Sequence, residues 1–282
     1  MADHADAGEI LLLHPGEMGA ALGRLLTGRG QAVTWVPAGR GATTAARAEA
    51  AGLAPRVDLA AALQTADLVL SVCPPHAAEA SAAQVAAAGW RGPYLDANAV
   101  APGTVRRLAE TLAPAPVVDG GIVGPPPGEG RDARLFLSGP GAPDIARLFA
   151  GSPLEPVTLE GPVGAASAVK MAYGGWTKGS AALLLALRGF ARAEGVEDAL
   201  LAEWRRSQPA VAARGLERDV AKAWRFAGEM REVAEALERD GLPPGFHAAA
   251  ADLFERLVGF RDDDALALDD ALAQLIEGRP PG

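Results

Sequence analysis

A lysine within a segment of small residues is the side chain best suited to do chemistry in this sequence. Lys170 lies in GPVGAASAVKMAYGGWTKG, and its neighbours three, four and seven residues further along a helix would be Tyr173, Gly174 and Thr177. An ammonium on that face would have a tunable pKa and could give a proton to a carbonyl oxygen as a hydride arrives. The same pattern also fits a lysine that extends along a domain edge to keep its charge in water. The pattern alone leaves both interpretations open.

The stretch ILLLHPGEMGAALG, residues 10–23, is close to a dinucleotide-binding fingerprint, but His14 stands where the first glycine is expected. Gly16 and Gly19 keep the other two positions, where backbone approaches a pyrophosphate and a helix packs on a strand. Because His14 precedes Pro15, its backbone is pushed toward extended geometry, so the turn must be built differently. The N-terminus of the following helix would still present free N–H groups to an anion. We expect this loop to bind a cofactor, with a bare strand-to-helix turn as the alternative.

The end of the second predicted strand indicates which dinucleotide would bind. An NAD site usually places Asp or Glu there for the ribose hydroxyls. The segment TWVPAGRGATTAAR contains no acid, and the first one downstream is Glu49. Arg40 stands just beyond the strand, where a guanidinium could bind a 2′-phosphate, although a solvated surface arginine fits equally well. The missing carboxylate favours NADP, with NAD as the alternative.

Short apolar runs alternate with helical patterns through the first half of the chain. The predicted strands are residues 9–14, 31–36, 67–72, 94–97, 116–120, 134–139 and 156–159, and the predicted helices 17–29, 41–51, 76–88 and 102–112, with a short amphipathic segment at 58–65. Such alternation is typical of a doubly wound α/β domain with a mostly parallel sheet, a Rossmann domain.

After Gly161 only helical patterns remain, at residues 163–193, 216–239, 246–258 and 264–277. We therefore predict an NADP-binding Rossmann domain over residues 1–161 and an all-helical substrate and dimerisation domain over 162–282, joined by one long helix. The segment 163–193 is nearly apolar on every side, so it must be covered on every side. One small helical domain can hardly do this, and we expect a homodimer.

Composition excludes several function classes. The net charge of −9 disfavours binding to a phosphate backbone, so no nucleic-acid partner is expected. Cys73 is the only cysteine, and no clustered metal-ligand spacing occurs, so neither a disulfide nor a metal site is expected. The longest apolar run away from the N-terminus is Ala181–Leu187, far short of a membrane helix. These features predict a cytoplasmic protein without a membrane partner.

Four motifs give the chain a resemblance to the β-hydroxyacid dehydrogenase superfamily, which includes 6-phosphogluconate dehydrogenase. They are GEMG (16–19), GPVGAASAVK (161–170), CPPHAAE (73–79) and DANAVAP (96–102). The resemblance implies that Lys170 is the catalytic lysine. Together with the residue patterns of the glycine loop and of Arg40, it gives a set of candidate cofactor-binding residues: His14, Pro15, Gly16, Glu17, Met18, Arg40, Cys73, Pro74, Pro75 and Asn98. The similarity fades beyond about residue 200.

The substrate half departs from the family. Val123, followed by Gly124, stands where the family has a serine that holds a substrate carboxylate, and Gly174 replaces a usual asparagine. Further candidate substrate contacts are Tyr173, Trp224 and His247, although a histidine in such a position more often has a structural role. We expect an NADP-dependent oxidoreductase that transfers hydride between the nicotinamide and a small carbonyl or hydroxy compound. An imine reductase and a catalytically silent NADP-binding dimer are the alternatives.

Overall fold

The computed structural model describes residues 8–128, 130–263 and 265–278. The chain divides into two compact units, residues 1–170 and residues 171–282. Helix α7 (Ala165–Ala193) begins in the first unit and ends in the second.

One eight-stranded sheet forms the centre of the first unit, in the order β3-β2-β1-β4-β5-β6-β7-β8. Its strands are β1 Glu9–Leu12, β2 Ala32–Trp35, β3 Ala54–Pro55, β4 Ala66–Ser71, β5 Tyr94–Asp96, β6 Val117–Val123, β7 Ala133–Ser138 and β8 Leu154–Thr158. All neighbouring pairs are parallel except β6 and β7. The strand order reverses between β1 and β4, as in doubly wound folds.

Six helices accompany the sheet: α1 Glu17–Thr27, α2 Ala42–Ala50, α3 Leu59–Thr65, α4 Ala78–Ala87, α5 Pro102–Leu112 and α6 Ala142–Phe149. Alternate residues of β1 enter different cores, Ile10 and Leu12 on one face of the sheet, Leu11 on the other. Both faces of this strand are therefore covered, which explains its continuous apolar run. The predicted Rossmann architecture is confirmed.

The sequence analysis did not predict two elements of the first unit, β3 and α6. Strand β3 is only two residues long and pairs with β2 through Ala54 and Pro55. Helix α6 begins after Gly141, whose φ of 85° lies in the left-handed region, and carries Pro143 in its first turn. Its buried residues Ile145 and Phe149 lie four apart on one face. The antiparallel pairing of β6 with β7 follows from the loop that begins at Gly124 and reverses the chain.

The described part of the second unit consists of helices and turns. After α7 come α8 Glu197–Ser207, α9 Pro209–Ala212, α10 Glu217–Ala221, α11 Ala223–Arg239, α12 Gly245–Glu255 and α13 Leu268–Glu277. Their shared core contains Met230, Val233 and Phe254, with the rings of Phe226 and Phe254 in edge-to-face contact at 5.5 Å.

The predicted helix over residues 216–239 is wrong in one respect, because it breaks at Lys222. The carbonyl of Ala221 accepts a hydrogen bond from the Asp262 N–H at 3.0 Å. The Arg225 N–H bonds to the carbonyl of Lys222, three residues back. Lys222 Nζ also contacts Asp262 Oδ1 at 2.7 Å. A segment forty residues downstream therefore contacts the chain at the end of α10, where the helix breaks.

Candidate active site

The crevice between β1 and β4 is the expected ligand site of the first unit. In open α/β sheets, ligands bind beyond the carboxyl ends of the strands, where the strand order reverses. The glycine loop follows β1 and the Cys73–Pro75 loop follows β4, so the fold brings together two segments sixty residues apart. The Leu13 N–H donates to the Leu70 carbonyl at 3.0 Å and ties the two strand ends together.

The glycine loop forms without the missing first glycine. The Gly16 N–H donates to the His14 carbonyl at 2.8 Å, across Pro15. This is a three-residue turn, and its central position suits the fixed φ of proline. A Cβ at Gly19 would lie 2.2 Å from the His14 carbonyl oxygen, so only glycine lets α1 approach the strand end this closely. His14 in place of the first glycine therefore changes the turn but preserves the close packing of α1 against the end of β1.

Gly16 itself leaves space for a ligand. Its φ of −70° is accessible to any residue, so conformation does not require glycine here. A Cβ at this position would find no other atom within 4 Å. No side chain caps α1 at Gly16 either. A helix N-terminus beside open space is suited to a phosphate group.

His14 and Arg40 lie together beside this loop. Arg40 Nη2 is 3.5 Å from the carbonyl oxygen of Leu13, so the guanidinium reaches back from the β2–α2 connection toward the turn. Burial, together with the charge of Arg40, lowers the pKa of His14 to about 4. Its Nδ1 atom is buried and has no hydrogen-bond partner. A neutral imidazole with an unused nitrogen beside a guanidinium suits a polar, anionic ligand.

The loops after β4 and β5 are held by a buried amide. Asn98 Oδ1 accepts from the Cys73 N–H at 2.6 Å, and Asn98 Nδ2 donates to Asp96 Oδ2 at 2.6 Å and to Ser71 Oγ at 3.1 Å. Three of its four hydrogen-bonding positions are used within the protein. The predicted role of Asn98 in cofactor binding remains a prediction, and the structure shows that it orients both loops.

Burial shifts the titration of this cluster. It raises the pKa of Asp96 to about 7, although Asn98 hydrogen bonds oppose the shift, and the charge of Asp119 adds to it. It likewise raises the pKa of the Cys73 thiol to about 11. The thiol is protonated at neutral pH, so Cys73 is no nucleophile there.

Lys170 is half-buried in α7 and lies against β6. A Cβ at Gly121 would be 2.5 Å from the Ala166 carbonyl oxygen and 3.1 Å from Lys170 Cβ. Strand and helix therefore touch through a glycine near the carboxyl end of β6. Val123, at that end, is buried, and Gly124 follows with a φ of 131°. The structure therefore places Lys170, Val123 and Gly124 at the carboxyl ends of the strands, the same end of the sheet at which the glycine loop lies.

A carboxylate that the sequence analysis missed fixes the start of α7. Asp119 in β6 accepts from the N–H groups of Gly164 and Ser167 at 2.9 and 3.0 Å. Two hydroxyls also donate to it, Ser167 Oγ at 2.6 Å and Ser138 Oγ at 3.0 Å. The buried aspartate in PVVDGG was the available signal, but its partners lie in two distant segments, the end of β7 and the start of α7.

The remaining substrate candidates belong to the second unit. Tyr173 is exposed, and Gly174 is buried. Lys178 Nζ lies 3.6 Å from the position a Gly174 Cβ would take and 2.6 Å from Glu229 Oε2. The sequence analysis did not single out this ion pair.

The other two candidates, Trp224 and His247, are half-buried in the second unit. His247 Nε2 is 3.4 Å from the Gly175 carbonyl oxygen, and the other ring nitrogen is buried without a partner. Trp224 stacks under the guanidinium of Arg261 at 3.9 Å. Their assignment to a substrate site remains a prediction.

The described residues form neither a metal-binding cluster nor a membrane-spanning helix. Residues 8–128, 130–263 and 265–278 contain no group of three His, Cys, Asp or Glu side chains arranged to hold a metal ion. None of the helices in the same ranges has the length and hydropathy that a membrane crossing requires.

Comparison with solved structures decides the fold family. The conserved protein MTH1747, of unknown function and described as similar to 3-hydroxyacid dehydrogenases, has 26% identity and a TM-score of 0.71, covering 95% of this chain and 99% of its own. Mycobacterium tuberculosis 3-hydroxyisobutyrate dehydrogenase, with L-serine, has 17% identity and a TM-score of 0.72 at 95% and 99% coverage. The chain has the 3-hydroxyacid dehydrogenase fold. The predicted superfamily resemblance is confirmed.

A third structure extends the comparison within the 3-hydroxyacid dehydrogenase fold. Aspergillus terreus reductive aminase, in complex with NADPH and ethyl levulinate, has 20% identity and a TM-score of 0.57, covering 97% of this chain and all of its own. Residues 191–257 match the family DUF1932, described as a domain of unknown function. No curated protein matches the sequence. The fold is one used by NAD(P)-dependent oxidoreductases.

Proposed function

We propose that this protein is an NADP-dependent oxidoreductase acting on a small carbonyl or hydroxy compound, with Lys170 as its general acid and base. One observation carries the proposal. Helix α7 fixes Lys170 against Gly121, on the sheet edge that also bears the glycine loop. When bound, the nicotinamide would supply or accept a hydride, and the lysine ammonium would protonate the carbonyl oxygen.

The glycine loop and Arg40 support the choice of cofactor. Gly16 leaves open space at an uncapped helix N-terminus, which fits a pyrophosphate. Helix α2 begins at Ala42, after its N-cap residue Gly41, without an acid in its first turn. Arg40 lies directly before Gly41, so the connection that follows β2 presents a guanidinium where an NAD site would present a carboxylate. We therefore propose NADP in preference to NAD.

The rarity of lysine supports a proton-transfer role for Lys170. Of 26 basic residues, only Lys170, Lys178 and Lys222 are lysines, and the other 23 are arginines. A guanidinium does not release its proton in proteins, whereas an ammonium can. Lys178 and Lys222 contact carboxylates in the second unit. A lysine at position 170 can therefore transfer a proton, which an arginine at the same position could not.

Imine reduction is a second candidate, favoured by the likeness to the reductive aminase. Val123 is buried and apolar at the serine position of the family, which makes binding of a substrate carboxylate there less favourable. A carbonyl or imine substrate that places no carboxylate beside Val123 would fit this apolar side chain better. A silent NADP-binding protein is the remaining alternative, and the placement of Lys170 argues against it.

We also propose that the protein is a homodimer. In α7, the residues Tyr173, Trp176, Ser180, Leu183, Leu187 and Phe190 follow a three-four spacing. Trp176 is 73% exposed and Phe190 65%. So large an apolar stripe is unusual on a monomer and suits pairing with the same surface of a second copy.

The test is a panel of keto acids, aldehydes and cyclic imines assayed with NADPH. We expect turnover of one class, and a loss of about 10² to 10⁴ in kcat for Lys170→Ala, the range typical of general acid catalysis. Lys170→Arg is the matched control, because it keeps the positive charge but cannot deliver the proton, and it should be similarly inactive. Both variants should bind NADPH like the wild type. Activity within a few-fold in either variant would refute the role of Lys170.

A further inference from the structure

The carboxylate of Asp119 is fully buried in the middle of β6 and accepts four hydrogen bonds. All four donors are neutral: two backbone N–H groups of the α7 start and two serine hydroxyls. Hydrogen bonds to a charged acceptor are the stronger kind. Four donors therefore converge on one carboxylate and hold it against the start of α7.

These bonds complete the first turn of α7. A helix leaves its first N–H groups without intrahelical partners. Here the Ala165 N–H bonds to the Pro162 carbonyl, the Ala166 N–H to Ser138 Oγ at 3.0 Å, and the Ser167 N–H to Asp119. Strands β6 and β7 therefore supply the cap of α7 through side chains.

Lys170 follows within one turn of that cap. It is three residues beyond Ser167, about 4.5 Å along the helix axis. Asp119 and Gly121 lie on the same face of β6, since alternate residues of a strand share a face. Gly121 meets Lys170 Cβ, and Asp119 precedes Gly121 by one two-residue strand repeat, about 7 Å along β6.

The geometry points to Asp119 as a positioning residue for Lys170, one that anchors the first turn of α7 and, through its charge, favours the protonated lysine. The anchoring follows from the capping bonds. The electrostatic effect follows from a negative charge near the ammonium, at the helix end whose own dipole is positive. The inference rests on the proposed function for its catalytic meaning, but both effects can be measured without a substrate.

The three lysines make a direct test feasible in the full chain. The protein is labelled with lysine carrying ¹³C at Cε, and the three signals are titrated by NMR, with Lys170→Arg identifying the signal of Lys170. In Asp119→Asn, we expect the titration midpoint of Lys170 to fall by about half to one pH unit, because the ammonium loses a nearby negative charge. Ser138→Ala, which keeps that charge, is the matched control and should leave the midpoint unchanged. Lys222 is the internal reference.

An unchanged Lys170 midpoint in folded Asp119→Asn would overturn the electrostatic part. The anchoring part has its own measurement in Ser138→Ala, which removes the acceptor of the Ala166 N–H. There we expect amide hydrogen exchange in residues 166–170 to accelerate at least about tenfold. Unchanged exchange would overturn the anchoring, and this arm tests the anchoring even if Asp119→Asn does not fold. Neither readout depends on activity, so an inactive protein would refute the proposed function alone.

Discussion

Two titratable groups beside the candidate cofactor loop, the buried Asp96 and the half-buried His14, should make opposite contributions to the pH dependence of folding. Burial raises the pKa of Asp96 from 3.8 to about 7, with Asp119 adding to the shift. Burial and the charge of Arg40 lower the pKa of His14 from 6.5 to about 4. The stability from Asp96 is complete below pH 3.8 and is lost as the pH rises through 7. That from His14 is complete above pH 6.5 and is lost as the pH falls through 4.

In the wild type the free energies differ, but the protons exchanged at the two sites nearly cancel at pH 5.5. A shift of about three units at Asp96 corresponds to about 4 kcal/mol. The shift at His14 corresponds to about 2 kcal/mol after a reduction for its partial exposure to solvent. At pH 5.5, unfolding should release about 0.9 proton from Asp96 and take up about 0.9 proton at His14. The two sites together should therefore exchange almost no net proton.

Single variants should reveal each contribution. Folded protein is mixed into unbuffered guanidinium chloride at pH 5.5, and the proton exchange is measured with a pH-stat. Relative to the wild type, His14→Gln should release about 0.9 more proton, and Asp96→Asn should take up about 0.9 more. The double variant should return to the wild-type value. Circular dichroism checks that each variant is folded before mixing. Proton exchange equal to the wild type in both single variants would refute the assigned shifts.

Two further predictions concern the cofactor and the assembly. The wild type should bind NADPH more tightly than NADH, and Arg40→Ala should narrow that difference by about ten- to a hundredfold, since a hydrogen bond to a charged group is worth about 1.5–3 kcal/mol. Equal wild-type affinities by calorimetry would contradict this. Light scattering should give twice the mass of 28.8 kDa, and Trp176→Glu should give monomer, whereas Val57→Glu, at another exposed site, should not. A monomeric, active wild type would exclude the dimer.

The sequence predicted the elements that can be recognised from residues close to one another in the chain. Strand β1 is recognisable because both its faces are buried, which demands a continuous apolar run. Helix α5 is recognisable because Pro102 sits in its first turn and its buried residues include Val105 and Leu108. By contrast, β3 has two residues and no pattern to detect, and its place depends on pairing with β2.

The missed features depend on contacts between distant segments. The break at Lys222 requires Asp262, which approaches only in the folded chain. The same is true of Asp119, whose partners come from β7 and from the start of α7. Motifs located Lys170 and the glycine loop, but no motif could indicate that a buried carboxylate caps the lysine-bearing helix. Local patterns thus reveal candidate groups, and long-range packing supplies the groups that orient them.

The single thiol of this chain can report on the dynamics of its loop. Cys73 is buried, its N–H is bonded to Asn98, and burial keeps its sulfur protonated at neutral pH. A maleimide can therefore react only when the segment after β4 opens. Its modification rate measures the frequency of that opening. A molecule that rests on this loop would slow the reaction in proportion to its occupancy. Native chemistry thus supplies a binding signal that needs no turnover, no engineered label and no knowledge of the substrate.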